Sequence, residues 1–154
     1  MLHDNHTHNI NLPSHNNLSA NSEIYSFSIP GDPIPKMTHR HGKGRTWNPQ
    51  KQMMVNYQLL ILNQHKNRPW LIGPLHLEAV FYIEPAKSFS QKKKEQLYGK
   101  YVDIKPDNSN LCKYIEDLCN GILYKDDCII ASSSYKKIYA KTPRTEFSLV
   151  KLFG

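Results

Sequence analysis

The first ordered pattern along the chain is an alternation over residues 24–29, with Tyr25, Phe27 and Ile29 on one side and Ile24, Ser26 and Ser28 on the other. A period of two predicts a half-buried strand, ended by Pro30, Gly31, Pro33 and Pro35. The period then changes. Met53, Met54, Tyr57, Leu60 and Ile61 recur at helical spacing, which predicts a helix to about Lys66 with its apolar face, methionines included, in the core. Asn48 is the expected N-cap and Pro49 the first helical residue. Residues 75–83, LHLEAVFYI, form the clearest strand, and residues 90–98 a short basic helix or turn. Over 110–119 Leu111, Tyr114, Ile115 and Leu118 share one helical face, while Asn110, Lys113 and Asp117 share another within about 60°. Asn120-Gly121 ends that helix. Residues 128–138 and 145–153 read as a terminal hairpin about Thr142-Pro143.

About four strands interleaved with two or three helices predict an α+β fold, a single domain whose mixed β-sheet is covered by helices. A chain of 154 residues holds one real core but not two. Residues 1–22 are dominated by Asn, His and Ser and show no hydrophobic period, so they are expected to be a disordered tail before a domain at 23–154. His3, His6, His8 and His15 are then solvated tail residues. Nothing approaches the roughly 18 apolar residues of a membrane span. The start lacks the basic and apolar regions of a secretory signal. Three cysteines, an odd number, do not make a disulfide framework. Cys112 and Cys119 fall at the edge of an apolar face and belong to the core. The expected location is cytoplasmic.

Charge changes the picture. The net charge is +7, yet residues 1–34 hold no Lys or Arg and three acids, Asp4, Glu23 and Asp32. The rest therefore sets all 20 bases against 10 acids. Such an excess attracts polyanions, nucleic acid first among them. Two basic segments stand out, Lys36, Arg40, Lys43 and Arg45 before the first helix and Lys92, Lys93 and Lys94 later. An RNA-directed or adaptor role has no aromatic RNA-binding signature behind it.

The acids of residues 105–127 carry the candidate chemistry. Asp107 precedes the 110–119 helix and Asp126-Asp127 follows it, so a chain that doubles back brings carboxylates together. Clustered carboxylates suit a hard divalent cation such as Mg²⁺ or Mn²⁺, and on a basic protein that suggests phosphodiester cleavage. Each acid has another reading too: Asp107 as a helix cap, Asp117 paired with Lys113, Asp126-Asp127 as a turn.

Lys105-Pro106-Asp107, Asn110-Leu111, Lys113, Asp117-Leu118, Asn120-Gly121 and Tyr124-Lys125-Asp126-Asp127 together resemble the signature of the RusA-like Holliday junction resolvases, and the similarity extends over about residues 24–150. The resemblance implies a cytoplasmic, homodimeric endonuclease that cuts four-way DNA junctions with Mg²⁺, which Mn²⁺ can replace. By position it makes Asp107, Lys113 and Asp127 catalytic. It gives the metal to Asp107 and Asp127 and makes Asn110 and Asp117 supporting residues; beyond the resemblance, Asp126 or Ser109 would complete the shell, with Glu116 a further supporting carboxylate. The two basic segments would grip the DNA backbone. One position departs: Ser109 stands where the family has a second Asp. A hydroxyl brings no negative charge to a cation, so the alternative is a junction-binding protein of the same fold with reduced or lost cleavage.

Overall fold

The computed structural model describes residues 23–37 and 40–153; the expected tail lies outside them. The strands are β1 (Ile24–Pro30), β2 (Arg40–Gly42), β3 (Arg45–Trp47), β4 (Leu75–Ile83), β5 (Ile130–Tyr139) and β6 (Arg144–Lys151). The helices are α1 (Lys51–His65), α2 (Gln91–Leu97) and α3 (Asn108–Cys119), and a 3-10 turn spans Asp127–Ile129. The main sheet runs β1-β6-β4-β5. β6 pairs antiparallel with β1 and β4, while β5 lies parallel to β4. This is the expected α+β architecture with a mixed sheet. No described helix is long and apolar enough to cross a membrane.

The terminal hairpin does not form. β5 and β6 are antiparallel, but β4 lies between them. Residues 140–143 cross that gap, about 10 Å at the usual strand spacing, which four extended residues can span. β4 alternates Leu75, Leu77, Ala79 and Phe81 into the core and takes the centre of the sheet with a partner on each side.

Helices cover one face. Phe27, Ile29, Leu77, Phe81, Phe147 and Leu149 meet Ile61 of α1 and Leu111, Tyr114, Ile115 and Leu118 of α3. Cys112 and Cys119 are buried there as well. α1 is less one-sided than its pattern suggests: Ile61 is fully buried and Met54 packs on the core, but Met53 and Leu59 are exposed. It also starts at Lys51. Asn48 Oδ1 accepts from Gln50 N–H (2.9 Å) in a local turn, and Gln50 is the N-cap without a side-chain cap bond. The Gln50 amide instead donates to Pro35 O (2.9 Å) and accepts from Met37 N–H (3.2 Å). Asn48-Pro49 thus turns the chain, and Gln50 fastens the basic segment. At the far edge of the sheet Gln64 of α1 accepts from Ser28 N–H (3.0 Å) and donates to Ser28 O (2.8 Å).

Candidate active site

α3 carries most of the candidate residues, and its apolar stripe sets how it lies. With Leu111, Tyr114, Ile115 and Leu118 buried, Lys113 is exposed and Glu116 and Asp117 half-buried on its outer side. The helix starts two residues earlier than its pattern implies, because Asp107 takes the N-cap position. Asp107 makes no side-chain cap bond. Its carboxylate pairs with Lys105 at 3.0 Å, so the capping role does not consume it. The stretch before the helix is tied to β5, where Lys137 Nζ donates to Ile104 O (2.6 Å) and Pro106 O (2.9 Å). Asn108 of α3 donates to Tyr135 O (3.1 Å). Ser109 is exposed in the first turn.

Asp117 pairs with Lys36, not with Lys113. Lys36 also donates its backbone N–H to Asn110 O (3.0 Å). One basic residue thereby runs along the polar face that Asn110, Lys113 and Asp117 define. Nothing local in the sequence signals this contact, because its two ends belong to distant segments.

Beyond α3 the chain turns tightly: Gly121 N–H donates to Tyr124 O (2.7 Å), and the buried Tyr124 hydroxyl donates to Glu116 O (2.8 Å). This fold-back sets Asp126-Asp127 against the helix end. Asp126 Oδ1 accepts from Cys128 N–H (2.8 Å), and that bond holds its carboxyl below the usual range. The turn reading therefore holds for Asp126. Asp127 differs: burial, then Asp126 and Asp117, push its carboxyl upward, with the Asn120 side chain partly offsetting them. Burial, then Asp127 and Asp117, likewise push Glu116 upward. Cys112, whose thiol lies 3.9 Å from Glu116 Oε1, is pushed up to about 12, mainly by burial. It stays a neutral core thiol. Asn120, expected only to end the helix, sits in this group with Oδ1 buried and without a donor.

Glu116, Asp117, Asp126, Asp127 and Asn120 thus lie toward the C-terminal end of α3, near enough for their charges to act on one another. Asp107 and Ser109 stand at its start. Twelve residues separate the ends, about 18 Å of helix. β5 runs back along the helix, its start beside Asp127 and Tyr135 beside Asn108, so the doubling-back does not join Asp107 to Asp127 in one chain. Among the described residues no three His, Cys, Asp or Glu side chains are close enough to share a metal ion.

The basic segment expected as a loop contains a two-stranded ribbon, β2–β3, in which Arg40 pairs with Trp47 and Gly42 with Arg45. Lys43 and Gly44 make its turn with positive φ, 47° and 71°, a two-residue turn whose twist suits a hairpin. Lys43 and Arg45 are exposed. In α2 Ser90 caps the start by accepting from Lys93 N–H (3.2 Å). Lys92 is exposed, Lys94 half-buried, and Lys93 Nζ lies 3.6 Å from the Phe89 ring centroid.

A protein-family model described as endodeoxyribonuclease RusA matches residues 30–149, which includes the ribbon, the central strand and the whole carboxylate region. The chain belongs to the RusA endodeoxyribonuclease family. The uncharacterized protein YqaN of Bacillus subtilis (strain 168) is 30% identical over 133 residues, 80% of this chain and 94% of that protein. RusA-family enzymes are endodeoxyribonucleases that act on branched DNA and depend on divalent metal ions.

Proposed function

We propose that this RusA-family protein is a Mg²⁺-dependent endonuclease, with Mn²⁺ able to substitute, that resolves four-way DNA junctions in recombination and repair as a homodimer. The observation that carries the reading is the uncompensated acid at the end of α3. Glu116 and Asp127 both hold their protons more tightly than free carboxyls do, and the acceptor Asn120 Oδ1 lacks a donor. Hard oxygen donors with unneutralised charge fit a hard divalent cation. Asp127 with Asp126 from one copy, and Asp107 with Ser109 from the other, would hold it; when bound, it lowers the pKa of a water and stabilises charge on the phosphate.

The remaining residues act without it. Lys113, exposed beside the carboxylates, places a positive charge where a phosphate oxygen gains negative charge. Lys36 keeps Asp117 engaged, and Asn110 holds Lys36 through its carbonyl. Lys43, Arg45 and Lys92 contribute backbone affinity rather than sequence reading. The separation of Asp107 from Asp127 along α3 supports the dimer, because a two-fold pair can present the helix start of one copy to the helix end of the other.

A second reading rests on Ser109. A neutral hydroxyl in place of a carboxylate weakens cation binding, and the protein then binds junctions with little or no cleavage. The test is incubation with a labelled four-way junction, with and without Mg²⁺ or Mn²⁺. Paired nicks that need the cation support the nuclease. Tight binding without nicks at any cation concentration selects the second reading, and no binding at low salt removes both.

A further inference from the structure

The ribbon carries an aromatic residue that phosphate binding does not explain. In an antiparallel pair, opposed residues share a face, so Arg45, Gly42, Trp47 and the register position of Arg40 lie on one side of β2–β3, and His41 and Thr46 on the other. The latter pair is satisfied within the ribbon, Thr46 Oγ1 to His41 Nδ1 at 2.9 Å. Trp47 is not taken into the core and is 46% exposed. Its six-membered ring packs on Gly42: a Cβ at Gly42 would lie 3.3 Å from both Trp47 Cη2 and Cζ3. Gly42 does not have a positive φ, so its use here is space and not backbone freedom. Gly42, Lys43, Arg45 and Trp47 line an open hollow of about 560 Å³.

The charged residues that line the hollow, Lys43 and Arg45, are of one sign. From Pro33 to Leu77 the sequence has no Asp or Glu and seven Lys or Arg. An indole braced on one side, open on the other and rimmed by cations is what stacks an unpaired base while its phosphates are held. A smooth duplex offers no exposed base face, but a branch point does. We infer that Trp47 is a base-stacking residue, taking a nucleobase unstacked at the branch point while Lys43 and Arg45 hold the adjoining phosphates. This rests on the proposed reading as a branched-DNA nuclease and adds how the branch is distinguished from a duplex.

The test uses the full chain without divalent cation, so that cleavage plays no part. Trp70→Phe leaves Trp47 as the only tryptophan. Its emission is titrated with a four-way junction and with linear duplex, and binding is followed in parallel by the anisotropy of labelled DNA. The expected result is saturable quenching by the junction. Trp47→Ala lowers junction affinity about tenfold or more, Trp47→Phe keeps most of it, and linear-duplex affinity changes by less than about twofold, since phosphate contacts dominate there. Gly42→Val keeps the indole but displaces it, and reproduces the Trp47→Ala loss. Junction binding by anisotropy with unchanged Trp47 emission, or a Trp47→Ala protein that binds junctions like its parent, overturns the inference and leaves the nuclease reading standing. A parent protein that binds no DNA at low salt overturns both.

Discussion

At the scale of single residues, the proposed chemistry turns on the carboxylates at the two ends of α3. Asp107 is a cap by position without being one by bonding, and Asp127 is raised by burial and its acidic neighbours. Asp107→Asn and Asp127→Asn are each expected to lower junction cleavage by roughly a hundredfold or more, with junction binding unchanged or tighter in a mobility-shift assay. Ser109→Asp should raise cleavage or lower the Mg²⁺ concentration needed. An Asp107→Asn protein that cuts like the wild type would disprove the carboxylate mechanism. Glu116 gives a stability prediction. Its folded pKa lies above the ordinary 4.5, so the fold penalises its charged form; the penalty is absent below that value, builds as pH rises from it toward the raised one, and is complete above. Glu116→Gln should therefore raise Tm at pH 7 by about 1–2 °C in the absence of divalent ions, and the gain should vanish in thermal scans below pH 4.5. The roles given to Asp107, Lys113 and Asp127 came from the resemblance to the family signature, since spacing alone left Asp107 readable as a cap and Asp126-Asp127 as a turn. The partner of Asp117 was not legible, since i,i+4 spacing favoured Lys113 while Lys36 is brought in by tertiary packing.

Among the elements, legibility followed length and periodicity. β4 and the core face of α3 announce themselves by sustained apolar spacing, and both are found. β2 and β3 have three residues each, too few to show a period, so only the turn-forming Lys43-Gly44 could have signalled a ribbon. The start of α1 was misplaced because Asn48-Pro49 suits a turn as well as a cap, and Gln50 is drawn away to Pro35 and Met37. The ribbon's role is measurable through salt. If Arg45 contacts one phosphate, Arg45→Ala lowers the slope of log K against log [salt] by about one and weakens linear and branched DNA alike. An unchanged slope would remove Arg45 from the interface.

For the whole molecule, the missing piece of the sequence reading was the order of the sheet. Alternation gives β5 and β6 their strands and the short link makes them antiparallel, but which strand stands between them is decided by β4, the one with apolar residues enough for the centre. The length of α3, twelve residues, parts Asp107 from Asp127. On the proposed reading, a second copy completes the donor set. Sedimentation at micromolar concentration should give about twice the chain mass of 17.9 kDa, as a C2 pair does. A monomer with full cleavage activity would contradict this.

The Gln64 side chain limits how such a pair can form. An outer strand with free peptide groups invites another strand to add, and the addition can repeat without end. The Gln64 amide meets both peptide groups of Ser28 and so occupies the middle of β1 as a stand-in neighbour one residue long. The β1 edge is thereby interrupted at Ser28 as a template for an added strand, and an assembly that stops at two is compatible with such an edge.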